Sequence, residues 1–235
     1  MTKEYTAMIG GKPYIIHANV LSDEEYYAMK NAQNAIERTN IIETYRNACF
    51  SDKTLRRYTF AADDQTNATV SAKAQEYVKS FFDNFKKGRG LLFFGSVGVG
   101  KTFIAACIAN ALIDQCFSCY MTTFQRIYNK SLSTFEKQSV IDDLKKYDLL
   151  IIDDLAAESK TGYMSGIVFD VIDERIKSGK PLIVTTNLTW NELTKPVNIT
   201  DSRIFSRLFE KCDFINVKGK DRRTMEFMNR VNQKG

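Results

Sequence analysis

The segment Gly95-Ser-Val-Gly-Val-Gly-Lys-Thr102 stands between an apolar stretch, Gly90-Leu-Leu-Phe-Phe94, and a helix-forming stretch over 102–113. Glycines at 95, 98 and 100 allow the backbone to curl, so that successive N–H groups and the start of the next helix converge on one point. Phosphate oxygens suit that point, because the helix N-terminus carries partial positive charge. The spacing G-x-x-x-x-G-K-T, with a strand before it and a helix after it, is that of a P-loop. A chance glycine-rich turn is the bland alternative, and the strand–loop–helix context argues against it.

The remainder of the chain fits the same architecture. Short apolar runs at 90–95, 119–123, 148–153, 181–186 and 213–217 alternate with helical stretches. Such alternation predicts an α/β fold, a parallel five-stranded sheet with helices on both faces. Apolar residues at Ala74, Tyr77, Val78, Phe81, Phe82 and Phe85 have helical spacing over 71–87, and 51–70 reads as an irregular connection. Near the front, β-prone runs on either side of Gly10-Gly11 predict a hairpin, and the stretch from Ser22 to about Ala48 lacks Gly and Pro and predicts one long helix or two. Residues 1–52 are therefore expected to form a small partner-binding region, a hairpin plus helix, and residues 53–235 the main domain.

The chemistry follows from residue types at their positions. Lys101 is placed to reach the β- and γ-phosphates of ATP, and the Thr102 hydroxyl to ligate Mg2+. Gly95, Val97, Gly98, Val99, Gly100 and Phe103 complete the expected nucleotide contact. The apolar run Asp148-Leu-Leu-Ile-Ile-Asp153-Asp154 ends in two carboxylates, as a Walker B strand does. Asp153 is expected to hold Mg2+ and Asp154 to orient and deprotonate the attacking water. The run 181–187 ends in Thr186 and Asn187, and Asn187 is the candidate for holding that water; an ordinary strand-ending Asn is the alternative. Arg203 and Arg207, four apart, share one helix face. An arginine donated to a neighbouring subunit stabilises charge on the transferred phosphoryl group, while two solvated helix arginines are the plain reading.

Composition narrows the class without deciding it. The net charge is +5, but residues 1–52 hold 5 Lys/Arg against 7 Asp/Glu, which leaves the front at −2 and the rest at +7. A basic surplus of that size is compatible with a nucleic-acid partner and equally with a solvated basic surface. No run approaches the ~18 apolar residues of a membrane span, and the first residues lack a signal-peptide pattern, so a cytoplasmic location and no membrane partner are expected. Five scattered cysteines suggest reduced thiols. Only Cys116 and Cys119 have ligand-like spacing, and with no second such pair a zinc site is disfavoured. The single histidine, His17, sits in a strand-like run and reads as structural.

Taken together, GLLFFGSVGVGKT, DLLIIDDLAAE, PLIVTTN, the arginine pair in RIFSRL and a final strand followed by GKDRR resemble the DnaC/DnaI-type helicase loaders and their IstB relatives, within the AAA+ ATPases. The likeness runs from about Arg57 to Arg223. It implies that Asn187 is sensor 1, that Arg207 is the arginine finger with Arg203 as the fallback, and that Arg223 is a sensor 2 contact to the nucleotide with Arg222 as the fallback. It also implies a DnaB-type hexameric replicative helicase as partner, binding to single-stranded DNA, and homo-oligomers formed on ATP, DNA or helicase. For the DNA contact, Lys160 and Tyr163 in the loop after the Walker B strand pair a cation for phosphates with an aromatic ring for base stacking; a polar surface loop is the alternative. Many AAA+ members carry Glu at the position of Asp154, and the shorter carboxylate implies slow turnover. Three functional classes remain open: an ATP-switched helicase loader, an IstB-like transposition helper, and an ATP-binding scaffold or inhibitor of a replication complex.

Overall fold

The computed structural model describes residues 2–9, 12–19, 23–133, 137–155, 162–222, 224 and 228 of the 235. It divides into two compact units, Met1–Glu43 and Thr44–Gly235. The expected boundary at 52/53 lies beyond the helix that joins them.

The first unit contains β1 (Thr2–Ile9) and β2 (Lys12–Asn19), antiparallel, with Ile9 opposite Lys12 and Thr2 opposite Asn19. This is the hairpin expected around Gly10-Gly11. His17 lies in β2 opposite Glu4. Then comes α1 (Asp23–Cys49), a single helix of 27 residues whose last turns belong to the second unit. No Gly or Pro interrupts it, so nothing in the sequence forces the break that two helices would need.

After α1 the second unit continues with Phe50, buried and bridged in parallel fashion to Met121. Two short 3-10 turns follow, Lys53–Arg57 and Phe60–Ala62, each started by a side-chain cap, Asp52 accepting from the Thr54 N–H and Thr59 from the Ala62 N–H. The expected single helix over 71–87 is two, α2 (Ala68–Lys79) and α3 (Phe81–Lys87). The break falls at Ser80, whose backbone leaves helical geometry (φ −94°, ψ 14°) while its N–H and its hydroxyl both donate to the Glu76 carbonyl, at 3.0 and 2.8 Å. Phe81 then turns inward, edge-on to Phe117 with ring centroids 4.8 Å apart.

From there strands and helices alternate: β3 (Gly90–Phe94), α4 (Lys101–Ile113), β4 (Cys119–Thr123), α5 (Phe124–Ser133), α6 (Lys137–Lys146), β5 (Leu149–Leu155), α7 (Gly162–Lys177), β6 (Leu182–Thr186), α8 (Trp190–Thr194), α9 (Ile199–Lys211) and β7 (Cys212–Asn216). The sheet order is β4-β5-β6-β3-β7 and every pairing is parallel. Strand alternation sorts its residues between two cores. Leu92, Leu150, Ile152, Leu182 and Val184 join one cluster with apolar residues of α5, α6, α7 and α9. On the other face lie Leu91, Phe93, Leu149, Ile151 and Ile183, where α4 packs on β4, β5 and β6 with α2 against it. β3 is buried at all five positions and lies between β6 and β7, where the strand order reverses direction. Ligands in open α/β sheets bind beyond the C-terminal strand ends at such a switch point.

One buried cation ties the opposite end of the sheet. Arg175 of α7 is 1% exposed, and its guanidinium donates to the carbonyls of Leu144, Tyr147, Asp148 and Pro181 at 2.9 to 3.3 Å. It thereby joins the end of α6 to the entries of β5 and β6. Burial lowers its pKa to about 10, with Asp148 acting in the opposite direction.

Candidate nucleotide site

The loop after β3 takes the shape its glycines permit. Gly95, Gly98 and Gly100 have φ of 137°, 77° and 99°, values that L side chains rarely adopt. A Cβ on Gly95 would lie 2.3 Å from the Val217 carbonyl oxygen, so the loop also approaches the chain beyond β7 too closely for any side chain. Val99 is buried beneath the loop and Val97 is exposed above it. The Lys101 ammonium is 2.8 Å from the Gly95 oxygen, 2.6 Å from the Ser96 oxygen and 2.7 Å from Asn187 Oδ1. All three acceptors are neutral. Burial lowers the Lys101 pKa, and Asp154 and Asp153 oppose that shift. A buried cation whose acceptors among the described residues are all neutral suits an anionic ligand.

The carboxylates are brought together by an irregularity in the sheet. β5 and β6 pair in regular register to Ile152 opposite Val184, and the next pair is Leu155 opposite Thr186. Asp153 and Asp154 thus face the single residue Thr185, the two-against-one arrangement of a β-bulge. Asp154 takes a left-handed backbone, φ 60°. Consecutive strand residues ordinarily point to opposite faces, but here both carboxylates line the same cavity. The Thr102 hydroxyl lies 3.0 Å from each Asp153 oxygen, the Thr185 hydroxyl donates to Asp153 at 2.6 Å, and Asn187 Nδ2 donates to Asp154 at 2.7 Å. Burial raises the Asp153 pKa; the Thr185 and Thr102 hydrogen bonds oppose the rise and Asp154 adds to it.

The resulting cavity has a volume of about 610 Å3. Lys101, Thr102, Asp153, Asp154 and Asn187 line it, together with Gly98, Gly100, Val97 and Phe103, so the site residues expected from three separate sequence segments meet in one place. A single carboxylate facing a threonine hydroxyl leaves most positions around a cation to water and phosphate oxygens, which is how Mg2+ is usually bound. The donor set therefore fits Mg2+. Among the described residues no cluster of three or more His, Cys, Asp or Glu is placed to hold a metal. Cys119 is buried and its pKa is pushed well above the ordinary thiol range by that burial.

The other expected residues fall elsewhere. Arg203 stacks on Phe169, its guanidinium 4.2 Å from the ring centroid. Arg207 Nε is 2.8 Å from Asp173 on α7, and the side chain is 42% exposed. Neither arginine is among the residues lining the cavity. Arg223 and Lys160 lie outside the described residues, as does the side chain of Tyr163, whose backbone is in the first turn of α7.

Some cavity residues were not evident as primary candidates. Arg222, named only as a fallback, donates its N–H to the Gly98 carbonyl at 3.1 Å and its guanidinium to Asp64 at 2.9 Å, and it lines the cavity. Asp52, Thr54, Leu55 and Tyr58 come from the stretch read as irregular, and Tyr58 packs on Phe103 with centroids 5.1 Å apart. Thr185 is a further one, adjacent to residues singled out at the end of β6.

Comparison with known proteins agrees with this geometry. The model of the family described as IstB-like ATP binding protein matches residues 27–229. The replicative helicase loader DnaC of Escherichia coli (strain K12) is 28% identical over 191 residues, covering 79% of this chain and 72% of DnaC. The replicative helicase loader DnaI of Bacillus subtilis (strain 168) is 26% identical over 173 residues, 68% of this chain and 55% of DnaI. A crystal structure of DnaI superposes with a TM-score of 0.63 at 23% identity, covering 76% of this chain and 98% of that one, which establishes a shared fold.

Proposed function

The chain belongs to the family of IstB-like ATP binding proteins, and from that premise we propose that it is an ATPase that loads a hexameric replicative helicase onto single-stranded DNA. One observation carries the ATPase part: Asn187 bridges Lys101 and Asp154, 2.7 Å from each, inside a single cavity. The residue that binds phosphate and the residue that handles water are thus linked by one amide. The partner follows from relatives along most of the chain that are named replicative helicase loaders.

In this scheme the ATP phosphates replace the carbonyls of Gly95 and Ser96 and the Asn187 amide oxygen as acceptors for Lys101. Thr102 and Asp153 would hold Mg2+, which would offset charge on the phosphate oxygens. Asn187 and Asp154 hold a water in line with the γ-phosphorus. As its oxygen bonds to phosphorus, the bond to the β–γ bridging oxygen breaks, ADP leaves, and the water proton passes to Asp154. Arg207, remote from its own cavity, serves the site of a neighbouring copy, so hydrolysis is tied to assembly. Arg222 takes the sensor 2 role toward the nucleotide, and Arg223 is its alternative. Lys160 and Tyr163 contact the DNA strand, and residues 1–52 hold the helicase. Among the described residues no helix is long and apolar enough to cross a membrane, and the work proposed is cytoplasmic.

The test combines nucleotide binding, hydrolysis and loading. Lys101→Ala is expected to abolish ATP binding, and Asp154→Asn to bind ATP without hydrolysing it. The wild-type chain is expected to co-elute with a hexameric helicase from its native host and to deliver it to single-stranded DNA. Wild-type ATP affinity in Lys101→Ala removes the site assignment; a chain that hydrolyses ATP but co-elutes with a transposase removes the loading role.

A further inference from the structure

Asp153 and Asp154 are neighbours on a strand, yet both reach one cavity because the β5–β6 ladder carries an extra residue there. A bulge leaves a backbone group without its normal partner, and that group must be satisfied if buried. Here the Asp154 N–H is met by a side chain: it donates to Thr185 Oγ1 at 2.9 Å. The same hydroxyl donates its proton to Asp153 Oδ1 at 2.6 Å. Thr185 is 1% exposed, so water has no ready access to take over either bond.

We propose that Thr185 is a positioning residue for hydrolysis, setting the aim of both carboxylates through one hydroxyl; this rests on the ATPase function proposed above. One bond fixes the Asp153 carboxylate on the side where Thr102 faces it. The other holds the left-handed Asp154 backbone, without which the Asp154 side chain would leave the cavity. A hydroxyl is required because only a group that donates and accepts at one atom can do both. The next residue, Thr186, supplies an internal comparison. It too is buried, and its hydroxyl donates to the Leu155 carbonyl at 2.7 Å, closing the bulge without touching either carboxylate.

The experiment compares Thr185→Val, Thr185→Ser and Thr186→Val by ATP affinity, kcat, Mg2+ dependence and thermal stability. Thr185→Val is expected to bind ATP within about threefold of wild type, to need more Mg2+, and to lose about 10- to 100-fold in kcat, the effect of one hydrogen bond to a charged group. Thr185→Ser restores most of kcat. Thr186→Val lowers stability but leaves kcat close to wild type. If Thr185→Val does not fold, Thr185→Cys takes its place, with similar volume and a weak donor, and the same fall in kcat is expected. Wild-type kcat in Thr185→Val, a serine variant as slow as the valine one, or an equal fall in Thr186→Val overturns the proposal. A wild-type chain that binds ATP without any hydrolysis, alone or with DNA and helicase, instead removes the ATPase function and the role of Thr185 with it.

Discussion

Asn187→Ala isolates the step that joins phosphate binding to water activation. The amide makes two bonds, accepting from Lys101 at 2.7 Å and donating to Asp154 at 2.7 Å. With ATP bound, the phosphate oxygens are acceptors for Lys101 in place of the amide, so that bond drops out of the difference between ground and transition state. The bond to Asp154 remains, and a hydrogen bond to a charged group is worth about 1.5–3 kcal/mol, which corresponds to about 10- to 150-fold in kcat. ATP affinity is expected to stay near wild type. Asn187→Asp has nearly the same shape with the opposite effect on the lysine: a carboxylate there pairs with Lys101 and repels Asp154, so ATP affinity and kcat fall together. Phosphate release against ATP concentration, with nucleotide binding by fluorescence, separates the two quantities. The reasoning fails if Asn187→Ala keeps kcat within about threefold of wild type or loses affinity alone.

Two further predictions concern assembly and stability. Mixing Arg207→Ala with Lys101→Ala subunits is expected to restore part of the activity that each lacks, since the first brings an intact phosphate loop and the second an intact finger; no recovery in verified mixed assemblies excludes the trans role. Arg175→Met keeps the buried stem but removes the donor to four carbonyls, of which Pro181 keeps the Leu150 N–H at 3.5 Å; unsatisfied buried groups cost ~1–3 kcal/mol each, with partial relaxation and relief of a buried charge bringing the net to about 3–5 kcal/mol. At ~2–4 °C per kcal/mol for a chain of this size, Tm is expected to fall by about 10 °C in a thermal melt, and a loss under ~1 kcal/mol contradicts the stapling role.

The features legible in the sequence are those encoded by local pattern. Five apolar runs with helices between them specify the sheet, and glycines at 95, 98 and 100 specify a loop that no side chain permits. Gly10-Gly11 between β-prone runs marks the hairpin, and the lack of any breaker after Ser22 marks the helix. What was not legible depends on neighbours distant in sequence. The pair Asp153-Asp154 reads as a strand end, and nothing within it reveals that Thr185 across the ladder turns both carboxylates to one side. The stretch 52–58 looks irregular because its 3-10 turn is held by short-range caps rather than by an apolar face, yet it lines the cavity. Arg222 lies in a segment with no periodic pattern, so the contact of its N–H with the Gly98 carbonyl is not legible in the sequence. Helical spacing over 71–87 is genuine in both halves, but the backbone leaves helical geometry at Ser80 between them.

Under the trans role proposed for Arg207, its pairing with Asp173 bears on how the finger is stored before assembly. An arginine that must act in a neighbouring site has to leave its own subunit's partner, and the cost of leaving determines whether storage is a lock or only a perch. Arg207 is 42% exposed and Asp173 10%, so the arginine end is wet and the carboxylate end is not; exposed pairs contribute about 0–1 kcal/mol, and this one sits toward the upper end. Asp173 is also held by Lys177 at 2.7 Å, so departure of Arg207 does not leave a bare carboxylate. The pair is therefore a perch: it keeps the guanidinium ordered on α9 and releases it for less than a factor of about ten in equilibrium. An arginine finger is worth ~10³–10⁵ in rate, which exceeds that cost many times over. Asp173→Ala should then change the activity of assembled complexes by less than about tenfold, whereas Arg207→Ala removes most of it; a loss in Asp173→Ala as large as in Arg207→Ala means instead that Asp173 aims the arginine within the assembly.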